Sequence, residues 1–267
     1  MATSFIGDPT RLRLWMKLHQ ATTQISSVRH WHAADGGDPT SLRGHQHVVP
    51  TLAICLEGVV RVRGARTLDL RAGEALVLSP GCWHEHVQLR AGSIAFGMGF
   101  IARRCYILMV DHQETSWGTI NDQPFRLWME NLSACSDPQR ACALVGELCG
   151  QIFAEKASPV SWLHPAVQRM AKTLWGRLHT PITAADIVRS AQIGDDGIGH
   201  SRAYELFTAF FGATPKQVLL TQRLALAAQF LREGASVAEA ARRSGFANRA
   251  SFTRAWRRSA GSPPSGR

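Results

Sequence analysis

Two sets of side chains in this chain have the types and spacing to do chemistry. The first is arginine: Arg249, Arg254, Arg257 and Arg258 crowd one short stretch near the C-terminal end. A guanidinium is always charged, and its planar fork of donors matches phosphate oxygens and the O6/N7 edge of guanine. The second set is histidine. Eight of the 11 histidines precede residue 113, and six of them form three pairs, His30-Trp-His32, His45-Gln-His47 and His84-Glu-His86. On a strand, residues i and i+2 point to one side, so each pair aims two imidazoles the same way. Imidazole suits zinc, iron, nickel or copper, and three or four such ligands would complete a site.

The arginines need a helix that holds them outward. Ser236, followed three residues later by Glu239, reads as a capping box and predicts a helix start. Gly245, just past Ser244, tolerates positive φ and ends that helix. A second helix is predicted from near Asn248, with Phe252, Ala255, Trp256 and Ser259 at i, i+3, i+4 and i+7 on its inward face. Two short helices joined by a tight glycine turn predict a helix-turn-helix, whose second helix enters the major groove of DNA. The bland alternative is a surface helix pair with solvated arginines.

The pattern occurs twice, which weighs against the bland alternative. Thr183-Ala-Ala-Asp186 matches Ser236-Val-Ala-Glu239 at an offset of 53 residues. Ala203, Phe207, Gly212 and Pro215 match Phe252, Trp256, Gly261 and Pro264 at an offset of 49. The first copy therefore has four extra residues between its helices, within the Gly/Asp turn at 194–200. Between the copies, residues 215–232 predict one helix. Pro215 sits at its start, Gly234 lies past its end, and Leu220, Leu224, Ala227 and Leu231 form a stripe. One rigid helix would fix the separation of the copies. Recognition helices held ~34 Å apart fit successive major-groove faces of one duplex.

Charge follows the same division. The chain of 267 residues carries a formal +10. From His164 onward there are 15 Lys/Arg against 6 Asp/Glu, whereas residues 1–163 hold 15 against 14. The basic excess sits with the repeated helices, where a phosphate-binding footprint is needed. A general cationic surface for membranes would not segregate this way. No run of ~18 apolar residues predicts a membrane helix. No cationic stub with an apolar core opens the chain, so a cytoplasmic location is expected. The six cysteines are then expected to be thiols and not a disulfide frame.

The first half reads as strands. Runs at 48–56, 59–63, 66–70, 75–78, 83–89 and 93–100 are separated by Gly58, Gly64, Gly73 and Ser79-Pro-Gly81. Short strands with turn signals every ~8–12 residues predict an all-β sandwich or barrel. Arg11-Leu-Arg-Leu-Trp-Met-Lys-Leu alternates and permits an early strand, with a short helix left open. Residues 125–129 and 138–154 predict helices, the second started by Asp137-Pro138 and carrying Leu144, Leu148 and Ile152. Cys135, Cys142 and Cys149, spaced by seven, fall near one helix face. A redox or metal trio and plain burial both remain open, and burial is the commoner fate of cysteine. Ser158-Pro159 to Pro165 reads as an interdomain linker.

Residues from about 165 to 267 resemble the DNA-binding domain of AraC/XylS-type transcription regulators. The resemblance rests on 182–191, on 201–212 with Pro215, on the helix Arg223-Leu-Ala-Leu-Ala-Ala-Gln-Phe-Leu231, on Gly245-Phe246, and on Phe252-Thr-Arg-Ala-Trp256. It implies two helix-turn-helix motifs whose recognition helices meet bases. Carried over, the base-facing residues are Ser201, Arg202, Tyr204 and Glu205 in the first copy and Arg249, Ala250, Ser251 and Arg254 in the second. Arg257 is expected on a phosphate. The longer turn at 194–200 departs from the family, and so does the end of the match at Arg267; the first copy is therefore expected to be a weak or altered reader.

Leu-Glu-Gly58, with Leu70-Arg-Ala-Gly-Glu-Ala-Leu-Val-Leu-Ser-Pro-Gly-Cys-Trp-His84, resembles a cupin jelly roll, a common sensor domain in that family. The implied organisation is a cupin-like sensor domain at 1–125, a helical dimerisation segment and linker at 126–163, and a double helix-turn-helix domain at 164–267. His45, His47 and His84 match three ligand positions of metal-binding cupins; the expected Glu is missing, and His86 or Cys82 would have to replace it. A divalent metal (zinc, nickel or iron) at His45, His47, His84 and His86 is one reading. The other is an organic effector in a pocket of His47, Trp83, His84, Phe96 and Met98. A metal-dependent cupin enzyme is a third, opposed by the missing Glu and by the lack of any other catalytic constellation; no enzyme is expected. The resemblance also implies a homodimer, double-stranded DNA and RNA polymerase as partners, and activation as the mode of control.

Overall fold

The computed structural model describes residues 9–35, 46–64, 66–89, 91–101, 104–111, 115–121, 123–153, 161–194 and 197–264. The chain divides into two compact units. One holds Met1–Thr40 and Val49–Trp162; the other holds Ser41–Val48 and Leu163–Arg267. This differs from the three-part division expected. The helices of the 126–163 segment belong to the first unit, and a short piece of the N-terminal half belongs to the second.

The first unit is built on two sheets. Its strands are β1 (Ser27–Trp31), β2 (Thr51–Glu57), β3 (Val59–Arg63), β4 (Thr67–Arg71), β5 (Glu74–Leu78), β6 (Glu85–Leu89), β7 (Ile94–Ile101), β8 (Arg104–Val110), β9 (Thr115–Asn121) and β10 (Ser161–Trp162). Among the described residues, a seven-stranded sheet runs β1-β5-β2-β7-β8-β9-β10 and a three-stranded sheet runs β4-β3-β6. β1 pairs with β5 in parallel, and the other pairings are antiparallel.

Three helices, α1 (Pro9–Thr22), α2 (Gln123–Ala134) and α3 (Pro138–Phe153), share a core with one face of the large sheet. β2 shows why its text is apolar throughout. Leu52, Ile54 and Leu56 pack with the helices, while Cys55 packs with Val60, Val62 and Leu70 of the small sheet. A strand covered on both faces has no polar side to show. The early alternating stretch is the helix α1. Leu14, Trp15, Leu18 and Ala21 are its buried residues, a helical period that the alternation of arginine and leucine obscured. All three cysteines of the seven-residue series pack with this core, and burial pushes the Cys149 thiol up to about 12. All six cysteines are free thiols.

The second unit is helical. It comprises α4 (Pro165–Gly176), α5 (Ala184–Arg189) with a 3-10 turn at Ser190–Gln192, α6 (His200–Phe211), α7 (Pro215–Arg232), α8 (Val237–Arg243) and α9 (Arg249–Ala260). α7 is buried along two adjacent rows, Val218 and Leu219, Gln222 and Arg223, Leu226 and Ala227, Phe230 and Leu231. The expected stripe was shifted: Leu220 and Leu224 are only half-buried. The helix packs against α5, α6, α8 and α9, so its buried face is wider than a single stripe.

Candidate nucleic-acid interface

The two helix pairs, α5/α6 and α8/α9, start from side-chain caps. Thr183 and Asp186 form a full capping box on α5, and the Thr183 hydroxyl also donates to the Asp186 carboxylate at 2.7 Å. These bonds hold the Asp186 carboxyl below its ordinary range, the Thr183 hydroxyl contributing most. On α8 the Ser236 hydroxyl accepts from the Glu239 amide at 3.2 Å, so the predicted box is present as its first half. Glu239 instead lies 3.9 Å from Arg243, whose guanidinium sits over the Phe230 ring at 3.8 Å.

The turns differ in length. In the second pair, Gly245 takes φ +78°, and its amide donates to the Arg242 carbonyl at 3.1 Å. A Cβ there would lie 2.4 Å from the Leu178 carbonyl oxygen and 2.7 Å from that of Thr180. Only glycine fits both the conformation and the space. In the first pair the longer connection is closed by two backbone bonds. The Gly197 amide donates to the Gly194 carbonyl at 3.0 Å, and the Ile198 amide to the Ala191 carbonyl at 3.2 Å.

Two arginines bind the first pair into the unit, and the sequence reading assigned neither. Arg223, in the middle of α7, donates to the carbonyls of Leu178, Thr180 and Ile182. Its surroundings are dry enough that burial lowers its pKa to about 10. Arg169 on α4 donates to the carbonyls of Ser190 and Ala191. A charged residue inside an apolar helix row was the available signal for Arg223. These two belong to the basic excess but are spent on the fold.

The helices α6 and α9, expected to be the recognition helices, share one register. Each is 12 residues long, with N-caps Gly199 and Asn248 and left-handed glycine C-caps Gly212 and Gly261. Ala203 and Phe252 are fully buried at matching positions. On α9, Phe252 and Ala255 are buried, Trp256 is half-buried against Phe252, and Ser259 is exposed, contrary to its predicted inward place. Burying Phe252 leaves Arg249, Ala250, Arg254, Arg257 and Arg258 exposed. None of the four arginines has an ion-pair partner among the described residues. Ser251 is half-buried. Its amide donates to Asn248 Oδ1 and its hydroxyl to the Asn248 carbonyl, both at 2.8 Å, so it closes the cap.

On α6, Ser201, Arg202 and Glu205 are exposed and Tyr204 is half-buried. Arg202 pairs with Glu205 at 3.5 Å, and His200 stacks with Tyr204, ring centroids 6.5 Å apart. All nine expected DNA-facing residues thus lie on α6 and α9.

The histidines and the expected pocket are distributed differently from the reading of the sequence. His45 lies outside the described residues. His47 is buried within the helical unit, where the Trp175 indole N–H donates to its imidazole and the rings are 4.8 Å apart. His84 and His86 lie edge to face at 5.7 Å in the β unit. Burial, then the neighbouring His86, lowers His84 to about 3, against the bond to the Cys82 carbonyl. Among the described residues no three His, Cys, Asp or Glu come together as a metal set. Phe96 and Met98 pack with α1, α2 and α3, whereas Cys82, two residues from His84, packs in the core of the small sheet. The alternation of β7 puts Phe96 and Met98 on the helix-covered face. Of the five expected pocket residues, Phe96 and Met98 thus lie in the helix-packed core of the β unit.

Residues 197–266 match the family described as "Helix-turn-helix domain". Among solved structures, the DNA-binding domain of AdpA, a global transcriptional factor crystallised with a target DNA, is 27% identical. That match covers 38% of this chain and 86% of that one, with a TM-score of 0.33. A probable AraC family transcriptional regulator from Rhodopseudomonas palustris is 28% identical, covering 38% and 93%, with a TM-score of 0.29. A single-substitution variant of apo ToxT from Vibrio cholerae is 9% identical over 83% of this chain and 90% of its own, with a TM-score of 0.37. None of the curated proteins matches. No helix among the described residues is long and apolar enough to cross a membrane. From α6 to the end of α9 the chain carries a helix-turn-helix domain.

Proposed function

We propose that this protein is a sequence-specific DNA-binding transcription regulator. Its helical unit grips duplex DNA with two helix-turn-helix motifs, and its β unit responds to a small organic effector. The observation that carries the DNA reading is the exposed arginine row of α9. Arg249, Arg254, Arg257 and Arg258 share a helix whose opposite face is sealed by Phe252 and Ala255. Arg254, near the helix middle, is placed for a base edge, and Arg257 and Arg258 for phosphates. A homodimer through α2 and α3, and contact with RNA polymerase, complete the proposal.

For the effector, the packing of Phe96 and Met98 with the helices leaves Trp83 and His84, with His86 beside His84, as the pocket candidates of the β unit. The bond of His47 to Trp175 and the lack of any three-ligand cluster among the described residues favour an organic ligand over a metal. Binding of the full chain to a promoter-derived duplex, read by fluorescence anisotropy across a salt series, tests the DNA reading. Tight binding to a subset of sequences with a steep loss in salt is expected. Equal, weak binding to every duplex would overturn it.

A further inference from the structure

The geometry points to opposite base-edge chemistry in the two recognition helices: Glu205 on α6 takes an amine donor, cytosine N4, where Arg254 on α9 takes guanine. This rests on the DNA reading proposed above and deepens it. The caps place the two residues in the same position. Gly199 and Asn248 open the helices, Gly212 and Gly261 close them in the left-handed conformation, and Ala203 and Phe252 are buried at the same step. Glu205 and Arg254 are then each six residues past the N-cap. Both are exposed. The same register thus presents an acceptor-only group in one copy and a donor-only group in the other.

A carboxylate beside a duplex is repelled by the phosphates unless it gains a donor. Two features make Glu205 tolerable. Arg202, one turn earlier and 3.5 Å away, supplies the compensating charge. α6 carries one Arg and one Glu, whereas α9 carries four Arg and no acid. The long-range grip therefore belongs to α9, and α6 is left to discriminate. Cytosine presents its N4 amine alone in the major groove, while guanine presents two acceptors that a carboxylate rejects. The protein would not bind a direct repeat of one half-site. At the matching position, one half-site shows cytosine where the other shows guanine.

The test is selection of sites from a random duplex pool by the full chain, followed by affinities for single-base variants. Wild type, Glu205→Arg, Glu205→Gln and Arg254→Ala are compared after equal thermal melts confirm folding. Wild type is expected to prefer cytosine at one position by about 5- to 150-fold. In Glu205→Arg that position alone should turn to guanine, and in Glu205→Gln to adenine. Arg254→Ala should relax a different, guanine position. The inference is overturned if Glu205→Arg keeps every wild-type preference and binds all sequences more tightly alike, while the wild type stays sequence-specific. Wild-type adenine at the Glu205-dependent position overturns the cytosine assignment. A wild type with no preferred sequence overturns the DNA reading itself.

Discussion

The pairs α5/α6 and α8/α9 share the frame of their second helices and diverge in the charge that those helices expose. Their second helices have equal length and matching left-handed glycine C-caps, and each seats an apolar residue, Ala203 or Phe252, at the same step. Their outer faces differ in charge by four, in the tightness of the turn before them, and in whether a side chain caps the helix. Packing against α7 sets the common part, because both pairs must fill the same helix. The exposed part answers only to what lies outside the protein. Shape and charge are therefore separable properties here, and each can be attacked alone.

The largest effect is expected from the common part. Arg223→Met would leave the carbonyls of Leu178 and Ile182 without their donor in a buried setting, while the Thr180 carbonyl keeps the Ile182 amide. Each stranded acceptor costs ~1–3 kcal/mol, so the helical unit should lose at least about 2 kcal/mol in urea unfolding. Arg232→Ala, on the exposed end of the same helix, should change little. Hydrogen exchange then separates two outcomes. Loss of protection in both pairs together means they form one cooperative body; loss confined to α5 and α6 would break that picture.

A smaller effect is expected at the divergent surface. Replacing both Arg257 and Arg258 with Ala should reduce the slope of log affinity against log salt by about 2. Arg202→Ala on α6 should change it by less than about 1, because Glu205 already neutralises that guanidinium in the free protein. Equal slopes for the two variants would show that α6 grips phosphates as α9 does. The division of labour would then be lost.

Much of this was legible in the sequence, and the boundary is instructive. The repeat offsets located both helix pairs, since caps, glycines and buried aromatics are local signals. α7 was found from Pro215 and Gly234, but its buried face was misread because Arg223 and Gln222 sit at its centre. A guanidinium that satisfies distant carbonyls looks, in the text, like a surface charge. The early helix α1 was ambiguous for a related reason: a face shared by Leu14, Trp15, Leu18 and Ala21 overlaps an alternating string. The surroundings of Phe96 and Met98 were not legible, because strand alternation alone does not say which face is covered. Phe96 and Met98 sit on the parity of β7 that faces the helices, and only the partner layers reveal which parity that is. His47 was assigned to the β unit by proximity in sequence, and nothing local marks Trp175 as its partner.

Capping offers a still smaller contrast. Asn248→Ala removes the bond from the Ser251 amide to Asn248 Oδ1 and should cost ~1 kcal/mol. α6 lacks such a bond, since its N-cap is Gly199, whose φ of −62° suits any residue. A Cβ at Gly199 meets nothing within 4 Å. Gly199→Asn should therefore stabilise by a few tenths of a kcal/mol, on the order expected for glycine against asparagine at this position. A destabilised Gly199→Asn would mean the first turn of α6 is held in its place by the long loop and not by its own cap.

The smallest effect is confined to acid. Asp186 has its folded pKa below the ordinary 3.8, chiefly through the Thr183 hydroxyl, and then the Thr183 amide. A depressed carboxylate adds stability that is present above its unfolded pKa and is lost as pH falls through the folded value. Glu239 accepts no bond back from Ser236, so α8 has nothing comparable to lose. In an NMR titration, the Thr183 amide, which donates to Asp186 at 2.8 Å, should shift with a midpoint below 3.8. The Ser236 amide should not follow it. Asp186→Asn should abolish the Thr183 transition and leave α8 unchanged. A midpoint at or above the ordinary carboxylate value, or equal movement of Ser236, would show that the two starts are capped alike despite their different bonds.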